Sequence, residues 1–113
     1  MKKSTETANP LEDQNYKNDR PCVLVKTTQG NMHIGYLKSR NSDSVELTEC
    51  RRLWYWNGAA GANQIASEGL QYPEKCKIPC PVEIELFGIA EILPVTNKAK
   101  EVFDSIPVWE IKK

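Results

Sequence analysis

The sequence predicts an α+β domain: a small, strongly bent antiparallel sheet or an SH3-like or Sm-like barrel, with two short helices. Three observations predict it. Alternating, β-branched stretches recur between tight-turn signals. The first three follow one another as a meander, the arrangement that closes small barrels. Two stretches at helical spacing interrupt the strand pattern and read as insertions or lids. At 113 residues the chain is one domain, large enough for one real core.

Residues 1–20, MKKSTETANPLEDQNYKNDR, carry four positive and four negative side chains and little apolar bulk. They read as a flexible polar tail, or as a segment that orders on a partner. A single β-rich domain is expected over 21–113. CVLVKTT (22–28) reads as a strand and Gln29-Gly30-Asn31 as a turn that tolerates positive φ. MHIGYLKSR (32–40) alternates, with Met32, Ile34 and Tyr36 on one face, and completes a hairpin. After a turn over 41–44, VELTECRRLWYW (45–56) reads as a long third strand. Neither of its faces stays apolar to the end, which predicts a bulge or bend near residues 49–52.

Asn57 or Gly58 is expected to cap a helix over 59–68, ended by Gly69. KCKIPCP (75–81) is too proline-rich for a central strand and reads as an extended connector. VEIELFGIAEILPV (82–95) holds two strand-like pieces around Phe87-Gly88. Thr96 or Asn97 caps a second short helix, with Ala99, Val102, Phe103 and Ile106 facing inward and Pro107 stopping it. VWEI (108–111) reads as a last short strand.

Lys plus Arg and Asp plus Glu both number 15, so the formal net charge is zero. That argues against a basic nucleic-acid coat and a polybasic membrane binder. No apolar run approaches 18 residues and no secretory leader pattern is present, so a cytoplasmic protein with reduced thiols is expected. Cys76 and Cys80 are spaced like half of a zinc knuckle, but Cys22 and Cys50 stand apart, so no metal site is assigned. The one histidine, His33, reads as a surface residue beside the first turn. Asp43, Glu46 and Glu49 read as a solvated face. No phosphate-loop, dinucleotide, zincin or nucleophile-elbow motif occurs, so no cofactor and no enzyme is expected.

The most informative stretch is RRLWYWNGAAG (51–61). Three consecutive aromatics in a strand cannot enter one core: Trp54 and Trp56 share a face and Tyr55 takes the other. Arginines grip phosphate or carboxylate, tryptophan and tyrosine stack on bases, and a helix start offers free N–H groups. Arg51, Arg52, Trp54, Tyr55, Trp56, Asn57 and Gly58 therefore form the candidate site. The same residues also read as a structural corner, with Arg51 and Arg52 paired to Glu46, Glu49 or Glu83. A third reading is an interface hot spot, where Trp, Tyr and Arg are enriched.

At RRLWYWNGAAGANQIASEG and again at EILPVTNKAKEVFDSIPVW (91–109) the chain resembles small proteins encoded by tailed bacteriophages and prophages. The shared feature is an RR-x-WYW-GA block followed by a short helix, and the resemblance covers about 21–111. It implies a protein made in an infected bacterium, in the host cytoplasm, and it carries no catalytic residue. The expected role is a non-enzymatic binding protein, a host-takeover or anti-defence accessory factor. Its partner would be a nucleotide-type signal or a host protein. A small nucleic-acid-binding module, disfavoured by charge, and a self-assembling structural phage protein are the alternatives.

Overall fold

In a computed structural model, residues 13–111 are described. β1 (Tyr16–Lys17), β2 (Arg20–Thr27), β3 (Met32–Arg40) and β4 (Ser44–Arg52) are followed by α1 (Ala62–Glu68), β5 (Val82–Phe87), β6 (Ile89–Pro94) and α2 (Asn97–Asp104), with one 3-10 turn at Pro73–Lys75. All pairings are antiparallel. The order is β1-β2-β3-β4-β5, and β6 pairs with the free side of β2. The fold is thus α+β with a strongly bent sheet. The barrel alternative is not realised, because the sheet is not closed. β5 lies on β4 and β6 on β2, and the two strands are joined through Gly88 without a ladder between them.

Gly88 makes the corner. Its φ is +68°, its N–H donates to Asp43 O at 3.1 Å, and its carbonyl accepts from Thr28 N at 2.7 Å. It therefore ties together the two turns that flank β3. Only a residue at ease with positive φ can turn the chain so sharply between two strands.

β2 is central and buried on both faces, as its unbroken CVLV run requires. Cys22 and Leu24 join Met32, Ile34 and Tyr36 in a core roofed by Ile65 and Ala66 of α1 and Ala99 and Phe103 of α2. Val23 and Val25 point the other way and meet Val45, Leu47, Cys50 and Leu86 inside the bend of the sheet. Thr96 locks the roof: its hydroxyl accepts from Ala99 N at 3.1 Å and donates to Ser67 O at 2.7 Å. The first bond caps α2 and the second fastens it to α1.

Four expectations from sequence are corrected. Residues 13–20 are not tail. Asn18 and Asp19, both at positive φ, form a two-residue hairpin turn between β1 and β2. Asn15 accepts from Tyr36 Oη at 2.6 Å and donates to Asn97 at 2.9 Å. The remainder of the expected tail, 1–12, lies outside the described residues. α1 begins at Ala62, capped by Gly61 and not by Asn57 or Gly58. Residues 108–111 form no strand. His33 is buried, 2% exposed, because β3 runs through the middle of the sheet.

The bulge expected in the third strand is present. Ile34 pairs with Arg51 but Tyr36 pairs with Thr48, so three steps on β4 face two on β3. Glu49 takes up the excess at φ +53°. Gly35 lies opposite, where a Cβ would stand 2.9 Å from Cys50 Cα. A Gly35→Ala variant is expected to lose about 1–3 kcal/mol of stability through this overpacking, measured by urea unfolding. An unchanged midpoint would show that the bulge does not depend on this close approach.

Candidate functional site

The bulge decides how the candidate residues are dealt out. Val45 and Leu47 point into the bend, and simple alternation would send Arg51 and Leu53 after them. The extra residue reverses the parity. Cys50 therefore enters the bend, while Leu53 joins the helix-covered core. Arg51 follows Leu53, and Arg52 follows Cys50.

Arg51 is fully engaged by backbone. Its Nε donates to Pro79 O at 3.0 Å. Nη1 donates to Phe103 O at 3.0 Å and Ile106 O at 3.1 Å. Nη2 donates to Ile78 O at 2.9 Å and Pro107 O at 3.3 Å. Phe103 O also accepts from Ile106 N at 3.1 Å, while Ile106 O and Pro107 O lie past the helix, and a cation is favoured at such a C-terminal end. Arg51 thus fastens the C-terminal end of α2 to the connector 78–79. Its geometry is that of a structural clamp, with no N–H left aimed at a ligand. The paired-carboxylate corner is also not what forms: Glu46 accepts from Ser39, Glu49 pairs with Lys17, and Glu83 pairs with Lys38.

Arg52 is exposed, and its Nε donates to His33 Nε2 at 3.2 Å. Burial first, and the neighbouring guanidinium second, push the His33 pKa down to about 4. Cys22 and Cys50 are buried, and desolvation pushes both thiols up to about 12. They are protonated and unreactive at neutral pH. Among the described residues no three His, Cys, Asp or Glu side chains are grouped to hold a metal ion.

The aromatics separate. Trp56 packs partly buried against the helix-covered core. Trp54 stays 61% exposed and Tyr55 50% exposed. Trp54 stacks on Trp109, with centroids 6.3 Å apart and planes 10° from parallel, and Lys77 Nζ lies 5.6 Å from the Trp109 centroid. Trp109 was not among the expected site residues. Its apolar periodicity in VWEI suggested only a strand, and its partner lies 55 positions away. The backbone explains the meeting. Tyr55 and Lys77 exchange two hydrogen bonds, at 3.2 and 2.7 Å, and Trp109 N donates to Ile78 O at 3.0 Å. Beside them Tyr72 is 49% exposed with Lys75 Nζ 5.4 Å from its ring.

Asn57 and Gly58 precede the Gly61 N-cap of α1 and take no part in capping it. Gly58, at φ +96°, accepts from Gln71 N at 3.0 Å, and a Cβ there would reach within 2.7 Å of Gln71 N and Tyr72 N. Asn57 O faces the Cys76 thiol at 3.7 Å. Both residues hold the loop that carries Tyr72 and form no anion cradle.

Two outcomes test this geometry. Arg51→Ala is expected to lower stability by about 3 kcal/mol, since hydrogen bonds to charged groups are the stronger kind and the carbonyls of Pro79, Ile106 and Pro107 lose the donor that Arg51 gives them. Chemical denaturation measures it, and a loss below about 0.5 kcal/mol would show the clamp to be unimportant. The second outcome concerns His33. Below pH 6.5 the unfolded chain protonates this imidazole, while the folded chain resists until about pH 4. Stability from this group is complete above pH 6.5 and falls as pH drops from 6.5 to 4, on the order of 2 kcal/mol. A His33→Gln variant should show a flatter stability profile in that window, and an identical profile would refute the assignment.

No helix of the described residues is long and apolar enough to cross a membrane. Among curated proteins and among solved structures nothing matches the chain. The family described as a domain of unknown function, DUF6948, matches residues 20–103, from the start of β2 into α2, and the chain belongs to that family.

Proposed function

We propose that the chain is a non-enzymatic binding protein that captures a protein partner on the face formed by Trp54, Tyr55, Lys77 and Trp109. The observation that carries this reading is the stacked, solvent-exposed Trp54–Trp109 pair. A wholly buried aromatic side chain removes on the order of 150–250 Å² from water, and about half of that is still open to a partner on each of these rings. Trp and Tyr set on a rigid backbone have the composition of an interface hot spot. The short backbone ladder from Tyr55 through Lys77 and Ile78 to Trp109 holds the rings in place before any partner arrives, which reduces the entropy cost of binding.

The resemblance to phage-encoded proteins supports a host protein as that partner and a host-takeover or anti-defence role in the bacterial cytoplasm. Capture of a nucleotide-type signal is less well supported. Arg51 is occupied, and the cleft beside Arg52 holds about 180 Å³, too little for a nucleotide when drug-sized ligands take pockets of roughly 300 Å³ and more. Nucleic acid is disfavoured by the zero net charge, although two lysines flank the rings. Steep weakening of capture with salt would identify it.

The test uses the proteins that co-purify with the chain from the infected host. Trp54→Ala and Trp109→Ala are each expected to weaken capture at least tenfold while melting like the parent. Trp56→Ala is expected to lose about 2–3 kcal/mol of stability instead. A Trp54→Ala/Trp109→Ala double variant that still captures its partner at full strength would overturn the reading.

A further inference from the structure

A second site lies on the other side of β4 from the Arg51 clamp. It is a cleft of about 180 Å³ lined by His33, Cys50, Arg52, Pro79, Val82 and Ile84 among others. Most of its wall is apolar. Its polar equipment is two side chains, one that can meet an anion and one that orients it.

Arg52 is the first. Its Nε–H donates to His33 Nε2, which orients the guanidinium. No ion pair of the described residues involves Arg52, and no acidic residue lines the cleft. Both Nη nitrogens are therefore available to an anion. His33 is the second. Because Nε2 accepts from Arg52, the neutral ring carries its proton on Nδ1. Nδ1 is buried and has no hydrogen-bond partner. Shielded in this way, Nδ1 offers the cleft no donor, and the part His33 plays there is to hold the Arg52 guanidinium through Nε2. The depressed His33 pKa agrees with a neutral ring at this position.

We infer that this cleft binds a carboxylate that carries a compact apolar group. The carboxylate lies on the Arg52 guanidinium, and the apolar group lies against Pro79, Val82 and Ile84. A guanidinium fork matches a carboxylate in charge and shape. A phosphate dianion fits less well, because no second cation lines the cleft to balance it. About 180 Å³ is room for roughly six waters at ~30 Å³ each. That suits a short branched acid or one terminal residue of a peptide. The chemistry is the same in both cases: a free carboxylate next to an aliphatic side chain. This site is separate from the aromatic face and does not rest on the function proposed for it.

The experiment is an NMR titration of the full chain with two probes, isovalerate and a short peptide ending in leucine. Each is tested as the free acid and as the amide. Saturable shifts of the His33, Cys50, Val82 and Ile84 resonances with the acids are expected, with at least tenfold weaker binding of the amides. The probe that binds more tightly identifies the source, free metabolite or protein C-terminus. Arg52→Gln should weaken the acid at least tenfold. Arg52→Lys, which keeps the charge but not the fork or the bond to His33, should weaken it severalfold. Trp54→Ala should change nothing. The inference is overturned by any of three results: no saturable shift up to ten millimolar of either acid, on the order of the weakest specific binding worth naming; acid and amide binding alike; or Arg52→Gln binding as well as the parent. The acid-against-amide comparison decides the matter even if the Arg52 variants fold poorly.

Discussion

One extra residue in β4, opposite Gly35, governs the placement of everything from Arg51 onward. Side chains alternate along a strand, so a single insertion exchanges the two faces for all residues beyond it. Without it, the guanidinium of Arg51 would enter the apolar bend behind Val45 and Leu47, where a charge has neither water nor a counter-ion. With it, Arg51 emerges beneath the end of α2, where it bonds the carbonyls of Phe103 and Ile106, and Arg52 emerges beside His33 at the rim of a cleft. Gly35 permits the exchange because β4 presses its backbone against the place where a Cβ would be.

The clamp that results also shapes the surface. Residues 75–81 contain two prolines and cannot join a ladder along their length. Their position depends on Arg51, which takes the carbonyls of Ile78 and Pro79, and on the two bonds between Lys77 and Tyr55. The segment held in this way supplies Lys77 beside Trp109 and receives the Trp109 N–H at Ile78 O. An arginine that touches no ligand thereby fixes the face on which Trp54 and Trp109 stack. Its importance to that face is as a positioning residue.

Local signals were legible and distant ones were not. The β2–β3 hairpin, the break at Gly88, the Thr96 cap and the inward face of α2 all rest on neighbours within a few residues. Even the bulge could be read, because alternation fails visibly in TECRR. The ordering of 13–20 could not, because Asn15 meets Asn97 from 82 positions away. His33 looked solvated beside its turn, yet its strand has β2 on one side and β4 on the other, and no property of the residue itself reveals that. Of the candidate site, Trp54 and Tyr55 stand exposed, whereas Arg51 and Gly58 are bonded to backbone, Asn57 O faces the Cys76 thiol and Trp56 packs on the core. Trp109 was missed because stacking between strand and tail leaves no periodic trace.

The connector relates the two surfaces. Lys77 and Ile78 belong to the aromatic face, and Pro79, one residue further, is a wall of the cleft beside Arg52. Arg51 bonds the carbonyls of both Ile78 and Pro79, so one guanidinium tethers the stretch that the two surfaces share. A hydrogen-bonded loop without a ladder of its own is among the softer parts of a fold, and here it is held by Arg51, by the two bonds between Tyr55 and Lys77 and by Trp109 N on Ile78 O. A displacement of Pro79 would be felt at Arg51 and, through it, at Ile78 O, which also receives Trp109 N. Linkage makes any such coupling reciprocal: whatever occupancy of the cleft does to the aromatic face, a partner on that face does to the cleft in equal measure.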